Sequence, residues 1–260
     1  MITLAQDILS RHVIGGSIAV YFTGQAGYIL KGSDGTLVAV DLYLSDCCSR
    51  LAGFKRLMPR LLDATDIAFD VIICTHEHPD HLDVDVLPLM ASYGSPAVYV
   101  NREGAPMLAD LNVTENIKVM EVGGIYHEGS LRIEAVYCDH GDGAPNAVGL
   151  VLTMDERTVY IAGDTAYRPE KISGAGAVSD IASMKIDLMA APINGAFGNL
   201  NEEEAVKLCG LVKPRLVTPY HYWNFAEHGG SPYLFSEKMN VMLPGQPYII
   251  MRMGESIIIN

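Results

Sequence analysis

The sequence lacks the roughly 18 to 20 uninterrupted apolar residues that a membrane-spanning helix requires, although 49% of its 260 residues are hydrophobic. Its first residues also lack the basic start and apolar stretch of a secretory signal. We therefore expect a soluble, cytoplasmic protein. No internal repeat, low-complexity tract or Pro/Gly-rich linker divides the chain. Residues 1–260 are thus predicted to form one domain. The sequence does not decide whether the chain forms a homo-oligomer.

Cysteines are few, and their spacing does not suit a disulfide or zinc framework. The only close pair among the five is the adjacent Cys47 and Cys48, and no Cys-x-x-Cys occurs. This pattern favours a reducing compartment. Cys74 and Cys138 lie in apolar segments, which indicates core positions rather than redox or nucleophilic roles.

Basic residues are scarce. The chain contains 18 Lys and Arg and 31 Asp and Glu, which gives a formal net charge of -13. That balance disfavours nonspecific binding to nucleic acid or to an anionic membrane. One local cluster, Lys55, Arg56 and Arg60, is typical of a solvated face. Contact of this cluster with an anionic small molecule stays open.

Short runs rich in β-branched residues, bounded by turn residues, predict a chain dominated by strands, with an antiparallel start. Asp83 is expected to cap a helix over Val84–Ser92, and Asn201 to open another. Strands are predicted at Ser17–Tyr21, Gly27–Leu30, Thr36–Val40, Phe69–Cys74, Ala97–Val100, Ile117–Val122, Leu131–Cys138, Val148–Thr153, Thr158–Ala162, Asp187–Ala191, Leu216–Pro219, Tyr248–Met251 and Ile257–Ile259.

The strongest chemical signal follows the strand Phe69–Cys74. There the sequence reads Thr-His-Glu-His-Pro-Asp-His, with the candidate ligands His76, His78, Asp80 and His81 within six residues. Imidazole and carboxylate together suit zinc, manganese or iron. Alternate side chains of a loop at a strand end can face two neighbouring ions, so the string indicates a metal centre.

Other predicted strand ends supply further ligands. His140 follows the strand that ends at Cys138, Asp164 lies in a Gly-Asp-Thr turn, and His221 follows Pro219 directly. Singly each is a weak signal, since an Asp after Gly is usually a turn residue. Together they are expected when one edge of a sheeted core carries the site.

The order and spacing of these residues resemble the metallo-β-lactamase superfamily. Within it, the segment beginning TGQAGYILKG, the stretch GDTAYRPE and the ending TPYHYWNF resemble the bacterial L-ascorbate-6-phosphate lactonase-like branch. The last two also resemble N-acyl-phosphatidylethanolamine phospholipases D. The resemblance implies an α/β (α+β) fold, an αββα sandwich of two mixed β-sheets flanked by helices.

The resemblance also implies a ligand set for two divalent ions per chain. His76, His78 and His140 would bind one metal, Asp80, His81 and His221 the other, and Asp164 would bridge them. His12, His127 and His228 match no motif position, and surface or hydrogen-bonding roles are expected for them.

A hydrolytic mechanism follows from such a site, because metal coordination lowers the pKa of water toward about 7 and makes a shared hydroxide available. Asp80 and Asp164 are the predicted catalytic residues, Asp80 by relaying a proton. The expected reaction is lactone or ester hydrolysis on a small anionic, phosphorylated sugar-like molecule. Candidate substrate-binding residues, each of which could equally serve packing, lie near the ligands: Asn146, Tyr167, Arg168, Asn194, Tyr222 and Trp223.

Four alternatives remain at this stage. A phosphodiesterase of the phospholipase D-like type is the main one. A di-iron oxidoreductase is disfavoured by His78, where such proteins carry a carboxylate, and by the lack of room for a flavin domain. A tRNA 3′-processing nuclease is disfavoured by the acidic balance, and a non-catalytic metal binder by the complete ligand set.

Overall fold

The computed structural model describes residues 2–168 and 178–260. In these ranges the strands form two mixed sheets. The first sheet contains, in order across it, β13 (Ser256–Ile259), β1 (Ile18–Gly24), β2 (Gly27–Lys31), β3 (Leu37–Val40), β4 (Val71–Ile73), β5 (Ala97–Val100) and β6 (Ile117–Val119). Strand pairing is antiparallel from β13 to β3 and parallel from β3 to β6.

The second sheet contains β12 (Leu216–Tyr220), β11 (Leu188–Pro192), β10 (Arg157–Ile161), β9 (Gly149–Met154), β8 (Leu131–Val136) and β7 (Ile125–Glu128). Here β12, β11 and β10 are parallel, and the pairs from β10 to β7 are antiparallel. The inner faces of the two sheets share one hydrophobic core, in which Leu30 and Val38 of the first lie with Leu150 and Tyr160 of the second.

The helices cover the outside of this sandwich. Their bounds are α1 (Leu4–Ser10), α2 (Cys47–Ala52), α3 (Leu87–Ser92), α4 (Gly104–Asp110), α5 (Val178–Ser183), α6 (Glu202–Val212) and α7 (Pro232–Met242), with a 3₁₀ turn at Gly141–Gly143. Ile8, Met90 and Leu108 of α1, α3 and α4 pack on the outer face of the first sheet. No helix in the described ranges is long and apolar enough to cross a membrane. The predicted αββα sandwich of two mixed sheets is confirmed.

Two predictions of local structure are wrong. Tyr248–Met251 forms no strand and contributes one isolated bridge from Tyr248 to Val217. The helix expected from Val84 begins at Leu87, beside Pro88. Asp83 Oδ1 does accept from the backbone of Asp85 and Val86, ahead of the helix, while its Oδ2 accepts from the backbone of Leu44 and Ser45 and ties the histidine loop to the segment after β3.

Candidate metal centre

The candidate ligands lie just past the ends of four strands. His76 follows β4 by three residues, His140 follows β8, Asp164 follows β10, and His221 directly follows β12. The turn before Asp164 requires glycine, because Gly163 has φ +71° and a Cβ there would lie 2.8 Å from the carbonyl oxygen of Val148. The local backbone thus directs the Asp164 side chain toward the histidines.

One group consists of His76, His78 and His140. His78 Nδ1 lies 3.1 Å from His76 Nε2 and 3.1 Å from His140 Nε2. Bonds of about 2.1 Å in a tetrahedral zinc site place ligand nitrogens about 3.4 Å apart. The three nitrogens therefore fit the coordination shell of a single small divalent ion.

The second group consists of Asp80, His81, His221 and Asp164. His221 Nε2 lies 3.3 Å from Asp80 Oδ2 and 3.1 Å from Asp164 Oδ2. His81 Nε2 lies 3.6 Å from Asp80 Oδ2 and 3.4 Å from Asp164 Oδ1. Asp164 Oδ2 is also 3.9 Å from His140 Nε2, so this carboxylate lies between the two groups. All seven predicted ligands come together.

Buried polar atoms that make no hydrogen bond support a metal at this place. His81 Nε2 and Asp164 Oδ1 are buried and have no hydrogen-bond partner among the described residues. A buried polar atom left unpaired costs about 1 to 3 kcal/mol. Coordination of a divalent ion would satisfy both atoms, and the mixed imidazole and carboxylate set suits zinc, manganese or iron. The residues therefore fit the metals that the sequence predicts.

Residues outside the ligand set hold the ligands in position. Asp41 Oδ2 lies 2.9 Å from His81 Nδ1 and leaves Nε2 to face the carboxylates. Asn199 Nδ2 donates to Asp164 Oδ2 at 2.6 Å, and Gln25 Nε2 donates to Asp80 Oδ2 at 2.8 Å. Outer partners of this kind orient metal ligands and raise metal affinity.

Without bound metal, opposite charges dominate the titration of the second group. Burial lowers the pKa of His221, but Asp164 and Asp80 raise it overall to about 9. The pKa of His81 is likewise raised well above its usual value, against burial, by Asp164, Asp80 and Asp41. Burial raises the pKa of Asp164, but His221 and His81 bring it well below its usual range. Both carboxylates of the group are therefore ionised.

The first group behaves in the opposite way. Burial lowers the pKa of His140 to about 4, and the His78 ring adds to this effect. Burial also brings the pKa of His76 well below its usual value. Neutral imidazoles are the form that binds metal.

A cavity of about 250 Å³ opens over both groups. Its floor contains ligand residues from each group, and Cys48, Ala52, Phe54 and Phe197 line its other side. His228 also lines it, which the sequence did not predict. Its ring stacks on that of His221 at 4.7 Å, and one of its ring nitrogens lies within 4.8 Å of a carboxylate oxygen of Asp80 and a ring nitrogen of His221. Burial lowers the pKa of His228 to about 4.

The predicted substrate-binding residues lie elsewhere than in the lining of this cavity. Asn146 donates to Glu103, Asn194 is buried, and Tyr167 packs against the core. Tyr222 donates to the carbonyl of Met251, and Trp223, which is 55% exposed, lines with Tyr222 a second cavity of about 360 Å³. Arg168 is about half exposed beside Asp139.

The basic cluster is divided in the structure. The guanidinium of Arg56 donates to the carbonyls of Tyr43 and Ser45 and lies 4.0 Å from the centre of the Tyr43 ring. Arg60 pairs with Asp63 at 3.0 Å, and Lys55 is exposed. Arg56 therefore serves the local fold.

Several supporting residues had only weak sequence signals. Asp41 follows the end of an apolar strand, as the candidate ligands do. This position is the only sequence feature that indicated a role for it. His228 follows a Glu and precedes two glycines, with no strand end beside it. Gln25, Phe54 and Asn199 lie in loops whose course depends on tertiary contacts.

Comparison with known proteins gives the family. Residues 40–222 match the family described as the beta-lactamase superfamily domain. A UPF0173 metal-dependent hydrolase of Bacillus cereus is 30% identical over 192 residues, 68% of this chain and 78% of its own length. A second, from Pyrococcus abyssi, is 26% identical over 88% of this chain and 98% of its own.

Among solved structures, Igni18, a metallo hydrolase from the archaeon Ignicoccus hospitalis, superposes with a TM-score of 0.74. It is 21% identical and covers 94% of this chain and 99% of its own, which establishes the likeness of fold. The match over residues 40–222 and the Bacillus cereus relative together show that this chain belongs to the metallo-β-lactamase superfamily as a metal-dependent hydrolase.

Proposed function

We propose that the protein uses two divalent metals to hydrolyse a carboxylic ester or lactone of a small molecule. The observation that carries the proposal is the convergence of two ligand groups on Asp164 at the floor of one cavity. Lactonase-like chemistry comes from the sequence resemblance to the L-ascorbate-6-phosphate lactonase-like branch, and the site offers what that chemistry needs.

The side chains have distinct roles in this proposal. His76, His78 and His140 would hold one metal, Asp80, His81 and His221 would hold the other, and Asp164 would serve both. The bound metals would supply an activated water near neutral pH and a Lewis acid for the substrate oxygen. In this proposal Asp80, which is ionised and accepts a hydrogen bond from Gln25, would take up a proton and pass it to the leaving group. Asn199 keeps Asp164 in position.

Metal identity follows the ligand chemistry, which suits zinc or manganese and also accepts iron. We place the protein in the cytoplasm, and the five cysteines, all buried as free thiols, support a reducing compartment.

The phosphorylated, anionic substrate implied by the resemblance has little support in the cavity. Arg56 and Arg60 are bound elsewhere. Within the part of the chain that the structure describes, the lining of the cavity includes neither Lys nor Arg. The proposal therefore rests on ester or lactone opening, and the phosphodiesterase alternative uses the same metal residues.

Elemental analysis tests the metal part. We expect two metals per chain in loaded wild-type protein, and fewer in Asp164→Ala and His140→Ala. The control is His127→Ala, because His127 is exposed on β7 and belongs to none of the candidate ligand groups. One metal in fully loaded protein, or full occupancy in Asp164→Ala, contradicts the two-metal site.

A substrate panel tests the reaction. Simple lactones, phosphorylated sugar lactones, bis(p-nitrophenyl) phosphate and N-acyl phospholipids are assayed with zinc and with manganese. We expect turnover of lactones or esters that is lost in Asp164→Ala. Turnover confined to the phosphodiesters would establish the alternative instead.

A further inference from the structure

We propose that the protein selects a neutral substrate with an aromatic or apolar group, which Phe54 and Phe197 hold at the mouth of the metal cavity. This inference rests on the proposed ester or lactone hydrolysis and names its substrate class. It departs from the phosphorylated, sugar-like substrate that the sequence implied.

The lining of the cavity combines polar and apolar side chains. Its polar side chains are candidate ligands, joined by His228 and Asn199. Its apolar part is formed by Pro79, by Cys48 and Ala52 of α2, and by Phe54 and Phe197. A substrate whose carbonyl faces the floor would therefore place its remainder against carbon atoms.

Aromatic rings surround this apolar wall. Phe54 lies 5.6 Å from Phe197 and 6.0 Å from Phe225, measured between ring centres. The His228 ring lies 5.4, 5.1 and 4.9 Å from Phe54, Phe197 and Phe225, respectively. Such separations are typical of aromatic contacts, and another ring could join the cluster in the same geometry.

Phe197 is the ring that remains open to solvent. It is 57% exposed, so its apolar face is available to a ligand. Its φ of +55° lies in the left-handed region, which a bulky aromatic residue rarely adopts. Strained backbone at a ligand site is maintained by the surrounding structure.

The loop that carries Phe197 is fixed to the metal centre. Leu200 N donates to Thr165 O at 2.8 Å, and Asn199 Nδ2 donates to Asp164 Oδ2 at 2.6 Å. A ligand in contact with Phe197 is therefore placed at a set distance from the carboxylate between the two groups.

The side chains that line the cavity offer no cation for a second, charged group of a substrate, because none of them is Lys or Arg. The formal net charge of -13 also lowers the concentration of anions over the surface away from the proposed metals. Arg56 and Arg60 of the basic cluster are held by Tyr43, Ser45 and Asp63.

Matched lactones test the selectivity. Metal-loaded wild-type protein is assayed with dihydrocoumarin, δ-valerolactone and a phosphorylated sugar lactone. We expect the highest kcat/KM for dihydrocoumarin. Phe197→Ala should reduce its advantage over δ-valerolactone on the order of tenfold, mainly through KM, since burial of a ring provides a gain of this size.

Two further variants test whether the ring of Phe197 causes the preference for the aromatic lactone. Phe197→Leu, which retains apolar volume, should keep most of the preference. Tyr233→Ala is the control, because Tyr233 is 69% exposed on α7 and outside the cavity lining. Equal kcat/KM values for the two neutral lactones, a preference for the phosphorylated one, or an unchanged preference in Phe197→Ala would overturn the inference while leaving the hydrolase proposal intact.

Binding without turnover separates the two proposals. Titration of metal-loaded protein with the neutral aromatic probe 2-naphthol, followed by its fluorescence, should show saturable binding that is about tenfold weaker in Phe197→Ala and unchanged in Tyr233→Ala. If no ester is hydrolysed but this pattern holds, the proposed reaction fails and the aromatic site stands. Equal binding in wild type and Phe197→Ala refutes the aromatic site.

Discussion

Asp41 shows how one buried carboxylate can determine the state of a histidine. Its Oδ1 accepts from Thr75 N and its Oδ2 from Thr75 Oγ1, both at 2.7 Å, while Oδ2 also meets His81 Nδ1. With both oxygens engaged, the carboxylate fixes the His81 tautomer that presents Nε2 to the metal position. Its φ of +47° is tolerated by Asp and Asn more readily than by other residues.

Asp41→Asn should therefore keep the backbone but weaken metal binding. We expect the affinity for zinc or manganese to fall about 10- to 100-fold, as for other outer partners of metal ligands. Competition with a chromophoric chelator measures it. Asp187→Asn is the control, since Asp187 is equally a buried carboxylate but pairs with Arg215. Similar losses in the two variants would mean that the effect is one of general stability.

Metal binding should release protons near pH 7. His221, with a pKa of about 9, and His81, with its pKa also raised, are protonated at pH 7 when no metal is bound. A ligand nitrogen must lose its proton to bind metal. The release should diminish as the pH rises through the pKa of His221. Calorimetric titration in buffers of different ionisation enthalpy measures this release, and identical heats in all buffers would contradict it.

The candidate ligands that the structure brings together were found from the sequence because they follow strands, whereas the aromatic residues that line the cavity were not found. His76, Asp164 and His221 each follow an apolar run. Such runs can be recognised in the sequence as strands, because buried strands consist of consecutive hydrophobic residues. Phe54 and Phe197 lie in loops. Although their rings are in contact, the two residues are more than 140 positions apart in the sequence. No local pattern in the chain encodes such contacts.

Secondary structure shows the same division. Ala97–Val100 was predicted with its observed bounds, whereas β7 and the helices α1, α2, α4, α5 and α7 were missed. The strand β7 is an edge strand whose residues are exposed or half-buried, so it has no apolar run to read. Tyr248–Met251 has an apolar pattern but finds no neighbouring strand beyond the bridge to Val217.

The turn after β10 should be sensitive to a single methyl group. In Gly163→Ala the new Cβ would meet the Val148 carbonyl at 2.8 Å and Cys138 Sγ at 3.0 Å, at a positive φ. We expect the free energy of unfolding to fall by about 1 to 3 kcal/mol, with weaker metal binding because Asp164 moves. Chemical denaturation measures the free energy of unfolding.

Gly35→Ala is the control for this variant. It isolates the cost of the positive φ alone, since Gly35 has φ +94° and no heavy atom within 4 Å of the Cβ position. Equal losses in both variants would show that the contact with Val148 is unimportant.

The metal centre joins the two sheets. His76, His78, Asp80 and His81 follow β4 of the first sheet, whereas His140, Asp164 and His221 follow strands of the second. Each of the two proposed metals would thus be held by residues of both sheets. Metal binding would then stabilise this end of the core, in addition to any role in catalysis.

Removal of metal should lower the thermal stability of the entire chain. A ligand that binds only the folded state at one hundred times its Kd stabilises it by about 2.7 kcal/mol, which corresponds to a rise in Tm of about 5 to 10 °C for a domain of this size. We expect zinc or manganese to produce such a rise in chelator-treated protein, and Asp164→Ala to show little of it, since Asp164 lies between both ligand groups. Calcium is the control ion, because it prefers six to eight oxygen ligands and the site is rich in imidazole. Differential scanning calorimetry measures the shifts. A rise of the same size with calcium, or in Asp164→Ala, would show that the stabilising metal binds elsewhere on the protein.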